Sequence, residues 1–238
     1  MQIVGLDIGG ANLKAASAQG QAVSRAFPIW REPDRLGQEL ESLLRGLPAA
    51  DALAVTMTAE LADCFPTRAQ GVRRILEAVD QIADGRPVVV WQTGGEFVEV
   101  AEAKELPGLV AAANWHALAT FSGRLAPTGE ALLIDIGSTT TDLIPILDGL
   151  PVPWGLTDRN RLASHELVYT GVGRTPVCAL ANQVTLGDRR VGLAAELFAT
   201  TGDVYLLSGD RHEDALCLDT ADGRPDTLKD AARRLARM

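Results

Sequence analysis

Apolar and polar positions alternate in short runs at the start of the chain, and glycine closes each run. Residues 2–8 read as a strand, Gly9-Gly10-Ala11 as a tight turn and residues 12–17 as a second strand. After Gly20-Gln21, residues 22–30 read as a third strand. The period then changes. Leu36, Leu40, Leu43 and Leu44 share one face of a helix expected over residues 35–45. Residues 53–57 form a short buried strand, and residues 58–66 a polar loop. Thr67 is placed to cap a helix reaching Asp84, with Val72, Ile75, Leu76, Val79 and Ile82 as its apolar stripe. Val88 to Trp91 is another buried strand, and a helix is expected over residues 109–121.

At Ala131 the opening pattern restarts. Residues 132–137 form a strand, Ser138-Thr139-Thr140 a turn, residues 141–147 the return strand, and Asp148-Gly149 a hairpin turn. Beyond it, helices are expected over 159–167, 193–199 and 227–238, and strands over 177–180 and 204–207. The restart is an internal repeat: Asp7-Ile8-Gly9 returns as Asp135-Ile136-Gly137, each copy between two strands. A duplicated α/β chain follows, with lobes over residues 1–128 and 129–238 facing each other across a cleft.

Composition adds limits. The 238 residues are 47% hydrophobic and 22% charged, ordinary globular usage for a chain long enough to bury a core without cross-links. The net charge of −9 argues against a nucleic-acid or anionic-membrane partner. No apolar run approaches the ~20 residues that span a bilayer, and Asp7 interrupts any secretory core, so a cytoplasmic protein is expected. The three cysteines are far apart, which disfavours zinc, and the three histidines suggest no catalytic constellation. A homo-oligomer is compatible with the sequence but not specified by it.

The paired turns carry the candidate chemistry. Gly9 and Gly10, with Asn12 behind them, can present backbone N–H groups as an anion-binding nest. Gly137 with Ser138, Thr139 and Thr140 forms the second nest and adds hydroxyl donors. Such nests suit a diphosphate. Asp7 and Asp135, at the strand ends, suit the Mg2+ that accompanies it, since magnesium needs only one or two carboxylates plus phosphate oxygens. Lys14 offers a point charge to a phosphate oxygen, while Asp142 stands at the equivalent place in the second copy.

Residues 7–14, Asp-Ile-Gly-Gly-Ala-Asn-Leu-Lys, resemble the first phosphate motif of the sugar kinase/heat-shock chaperone/actin superfamily, and residues 133–142 resemble its second. The Gly-Ser-Thr-Thr-Thr-Asp run of the second motif is similar to that of the hydantoinase/oxoprolinase branch. Residues 55–65, 113–115, 169–172, 174–180 and 199–205 narrow the resemblance to the tetrahydromethanopterin-linked one-carbon transfer proteins, which include a methanofuran-biosynthesis synthase. The resemblance implies a duplicated ribonuclease-H-like, actin-like ATPase fold. It also implies a transferase that condenses an aminomethylfuranylmethyl diphosphate with a γ-glutamyltyramine-like phenol and releases diphosphate. Glu60 and Asp63 are then candidate bases for the phenol, and Arg68 a partner for a substrate carboxylate. The superfamily's Gly-rich adenosine motif is missing after Gly209, and relatives usually continue further, which suggests a shortened second lobe. Diphosphate is therefore expected ahead of ATP. The alternatives are an ATP-dependent kinase, an oxoprolinase-like hydrolase, or an inactive accessory protein of the same pathway.

Overall fold

The computed structural model describes all residues, Met1–Met238. They form two compact units, residues 1–133 with 144–164, and residues 134–143 with 165–238. The boundary differs from the expected break at 128/129. Residues 144–164 join the first unit because Ile144 packs with Trp115 and Ala119, and the Arg161 guanidinium lies 3.8 Å from the Trp115 ring centroid.

In the first unit, β1 (Ile3–Ile8), β2 (Asn12–Ser17) and β3 (Ala22–Ala26) form an antiparallel meander. A 3-10 turn leads into α1 (Leu36–Leu44). The chain then returns through β4 (Ala52–Met57), which lies parallel to β1. Next comes α2 (Arg68–Ala83), whose first turn is closed by the Thr67 hydroxyl accepting from the Gln70 N–H. β5 (Val88–Trp91) and β6 (Phe97–Glu99) complete a mixed sheet of order β3-β2-β1-β4-β5-β6. Short helices α3 (Val100–Glu105) and α4 (Pro107–Val110) precede α5 (Asn114–Ser122).

The alternation of β1 decides what each sheet face does. Val4, Leu6 and Ile8 are buried in one core with Leu40 and Leu43 of α1 and Ile75 and Leu76 of α2. Each such side chain contributes ~1.5–3 kcal/mol. Gly5 and Asp7 point to the opposite, half-exposed face.

β7 (Glu130–Ile136) and β8 (Thr141–Leu147) repeat the opening hairpin, with β9 (Leu150–Pro151) on β8. α6 (Asp158–Ala163) closes the first unit. In the second unit β10 (Leu167–Val168) pairs with β8, placing Leu167 opposite Asp142. There follow α7 (Val177–Leu180), a two-stranded ribbon of β11 (Gln183–Leu186) and β12 (Arg189–Gly192), α8 (Thr201–Ser208) and α9 (Leu228–Leu235). The fully buried Arg234 of α9 holds Asp203 of α8 at 2.7 Å and Asp222 at 3.1 Å. No helix is long and apolar enough to cross a membrane.

Several expected elements differ. The helix expected over residues 109–121 is broken: Ala111 is extended and bridges to Met57, and Ala112 is left-handed at φ 49°. Residues 204–207, an apolar run expected as a strand, lie inside α8, which Thr200 and Asp203 start with a reciprocal capping box. Residues 177–180 are a helical turn after Pro176 rather than a strand, and residues 193–199 are irregular. The third strand stops at Ala26, because Phe27 and Ile29 turn back onto the first loop.

Candidate functional site

Both repeated turns are built the same way. The Gly9 N–H donates to the Asn12 carbonyl at 3.0 Å, and the Gly137 N–H to the Thr140 carbonyl at 2.8 Å. Neither loop has a residue at positive φ, so neither is the alternating nest expected from the sequence; each is a tight hairpin turn. A later segment secures each turn from behind. The N–H groups of Phe27 and Ile29 donate to the carbonyls of Ala11 (2.9 Å) and Gly10 (3.1 Å). In the second unit Val172 N–H donates to the Gly137 carbonyl, while Gly173 and Arg174 N–H both donate to that of Ser138. The carbonyls are thus turned inward and satisfied. The N–H groups of Gly10 and Ala11, and of Ser138 and Thr139, have no acceptor within the chain. Such oriented donors carry a fixed positive partial charge toward an anion.

Gly171 is what admits the second support. A Cβ there would stand 2.5 Å from the Ser138 carbonyl carbon and the Thr139 nitrogen. In the first loop a Cβ on Gly9 would stand 2.7 Å from the Asn12 oxygen.

Asp7 ends β1 beneath the first turn. Its register partners are Lys14 on β2 and Thr56 on β4. Lys14 Nζ lies 3.2 Å from Asp7 Oδ2, and the Thr56 hydroxyl 3.5 Å from Oδ1. Both charges are partly exposed, so this pair contributes little to stability. The oxygen-only donor set suits magnesium held by one carboxylate and phosphate oxygens, and no three His, Cys, Asp or Glu side chains are grouped as a fuller metal cage. Asn12 contributes its carbonyl to the turn rather than its side chain. Asp135, on β7, and Asp142, on β8, belong to the second unit, half-exposed beside Gly137, Ser138, Thr139 and Thr140.

The loop after β4 is not a solvated turn. The Thr58 N–H donates to the Ile8 carbonyl at 2.9 Å, fixing its start beside the first repeated turn. Glu60 then turns inward and is 1% exposed. Burial pushes its carboxyl up to about 7, against the opposing pull of backbone hydrogen bonding and of Arg68. Oε1 lies 3.4 Å from Arg68 Nε, whereas Oε2 is buried with no hydrogen-bond partner. The other side of Arg68 donates to Asp158 Oδ2 at 2.5 Å. Arg68, expected at a substrate carboxylate, is instead committed to two carboxylates of its own chain. Gly71 lets α2 approach: a Cβ there would lie 2.7 Å from the Glu60 backbone carbonyl oxygen. Asp63 stays exposed and takes no part in this cluster. Asp158 and Thr56 were missed from sequence, since only the packing of α6 and β4 brings them to these partners.

A hydantoinase/oxoprolinase family model matches residues 51–238. A synthase of Methanocaldococcus jannaschii, named (4-{4-[2-(gamma-L-glutamylamino)ethyl]phenoxymethyl}furan-2-yl)methanamine synthase, is 38% identical over 242 aligned residues, covering 100% of this chain and 71% of that protein. A synthase of the same name from Methanococcus vannielii is 38% identical over 109 residues, 46% of this chain and 49% of that protein. Among solved structures, a nucleotide-free acetone carboxylase aligns over 98% of this chain and 58% of its own, at TM-score 0.54 and 12% identity. That likeness shows the fold alone: α/β with mixed sheets, of the actin-like ATPase type.

Proposed function

This chain belongs to the hydantoinase/oxoprolinase family, and from that premise we propose that it is a transferase of methanofuran-type cofactor assembly. The reaction joins the methylene carbon of an aminomethylfuranylmethyl diphosphate to the phenol oxygen of a γ-glutamyltyramine-like acceptor. The carbon–oxygen bond to diphosphate breaks and its electron pair leaves with the diphosphate. A phenol lone pair forms the new ether bond, and the phenolic proton passes to a base. The observation that carries the reading is the likeness to the named synthase along the whole chain.

The residues support each part of that step. The departing diphosphate gains charge, and preorganised donors are worth most where charge develops. The uncommitted N–H groups of Gly10 and Ala11 and the Lys14 ammonium supply them in the first unit, and the second unit carries like donors at Ser138 and Thr139. Asp7 in the first unit, and Asp135 as the corresponding carboxylate of the second, would each suit magnesium, which would supply further neutralisation of the leaving group. A phenol with a pKa near ~10 is mostly protonated at neutral pH. Glu60, half ionised near pH 7 with one oxygen unpartnered, is the base in this reading, positioned by Arg68 and Asp158.

Calorimetry and product analysis test it. Magnesium-dependent binding of inorganic diphosphate without preference for ATP is expected, together with an ether product detected by mass spectrometry. Asp7→Asn should lower kcat/KM by about 10²-fold or more while barely changing the unfolding midpoint. ATP-selective binding would favour a kinase or hydrolase of the same fold. Undiminished turnover in Asp7→Asn would remove the site assignment, and no turnover with any furan diphosphate and phenol would favour an accessory protein.

A further inference from the structure

The repeated hairpin has a face that is covered in its first copy and bare in its second. Leu6 and Ile8 of β1 are 2% and 0% exposed, because they lie in one core with α1 and α2. Their counterparts in the repeat, Ile134 and Ile136 of β7, are 53% and 58% exposed. No helix of the second unit covers them: α8 and α9 pack on each other instead, through the buried Arg234. The same unit holds another unpartnered surface. β11 and β12 form a ribbon whose strand residues are all exposed. Its base is closed by the Leu193 N–H donating to the Asn182 carbonyl at 2.9 Å, and its tip turns at Gly187 with φ 58°. The register puts Val184 opposite Val191 and Leu186 opposite Arg189 on one face, and Thr185 opposite Arg190 on the other. The ribbon is therefore amphipathic, yet its apolar face stays open, with Leu186 64% exposed. A two-stranded ribbon is marginally stable by itself and gains from a layer packed on its apolar face.

We propose that a second copy of this chain covers both surfaces: the ribbon of each copy lies across the Ile134–Ile136 face of the other, in a closed two-fold exchange. The two surfaces match. Val184 and Leu186 recur at the same ~7 Å strand spacing as Ile134 and Ile136, so the ribbon can lie on the sheet as a second layer. Charge points the same way. Arg189 and Arg190 are exposed and have no ionic partner in the chain, and the copy they would meet carries a net charge of −9. Packing ribbon against ribbon would instead bring the Arg189 side chains of two copies together. Reciprocal exchange buries each surface twice, and closed two-fold dimers are the commonest symmetric assembly. The proposal does not depend on the transferase reading.

Sedimentation velocity on the full chain over a range of concentrations tests it, and the wild type should show a monomer–dimer equilibrium. Leu186→Asp on the ribbon and Ile134→Lys on the sheet each change an exposed side chain. Circular dichroism should therefore stay as in the wild type, while each variant alone weakens the dimer by about tenfold or more. Mixing the two variants is the decisive arm. In the mixed dimer one exchanged contact is wild type, and the other brings the introduced carboxylate to the introduced ammonium, so association should recover severalfold. Val184→Asp and Ile136→Lys repeat both arms if either first variant fails to fold. A monomer at every concentration, a dimer that either variant leaves intact, or variants that do not rescue each other overturns the exchange. Growth beyond the dimer overturns it too, since contacts that do not close on a two-fold axis form open chains.

Discussion

Glu60→Gln separates the electrostatics of the buried carboxyl from its packing. Glutamine keeps the size and the oxygen facing Arg68 Nε but cannot ionise. The Glu60 side chain is fully buried, and its carboxyl titrates near 7 in the folded chain against an ordinary 4.5. The native state therefore holds a proton that the unfolded state has already released. Stability must fall as pH rises from about 4.5 through about 7 and level off above it, because there the folded state binds more protons than the unfolded. The separation of the two values corresponds to about 3 kcal/mol over the whole range. Urea unfolding followed by tryptophan fluorescence, at half-unit steps from pH 4.5 to 8.5, measures it. The wild type should lose about 3 kcal/mol relative to Glu60→Gln across that range, with the steepest change between pH 5 and 7. Profiles that stay parallel within about 0.5 kcal/mol would show that Glu60 ionises as an ordinary surface acid, and the base assigned to the phenol would go with it.

Three further outcomes follow from close contacts. Gly71→Ala forces a methyl against the Glu60 backbone and should cost about 1–3 kcal/mol, while lowering the Glu60 titration as the loop opens to water, both visible in the same urea series. Gly171→Ala pushes into the second turn at Ser138–Thr139 and should weaken diphosphate binding more than it lowers the unfolding midpoint, as calorimetry beside thermal unfolding would show. Arg234→Met leaves Asp203 buried without its cation and should destabilise by about 3–5 kcal/mol, partly restored by Asp203→Asn in the same chain, measured by a double-mutant cycle.

Much of the first unit was legible because its signals are local. Strand alternation in β1 and β2, the leucine stripe of α1 and the Thr67 cap are each properties of a few neighbouring residues. The repeated Asp-Ile-Gly turns were legible for the same reason. The region after Asp148 was read less well. A four-residue apolar run such as Val204–Leu207 satisfies a strand and a helix equally, and the capping box that decides it begins at Thr200, outside the run. The site divides along the same line. Sequence alone determined which residues can carry charge and which turns can present N–H groups. Tertiary structure decided that Phe27, Ile29 and the Gly171–Arg174 segment hold those turns by their carbonyls, and that Arg68 faces inward to Glu60 and Asp158. It also decided that Glu60, polar by type, is buried. Whether a carboxyl is hydrated and which cation it meets depend on chain segments up to 98 positions away, as between Glu60 and Asp158, and no local pattern of residues encodes that distance.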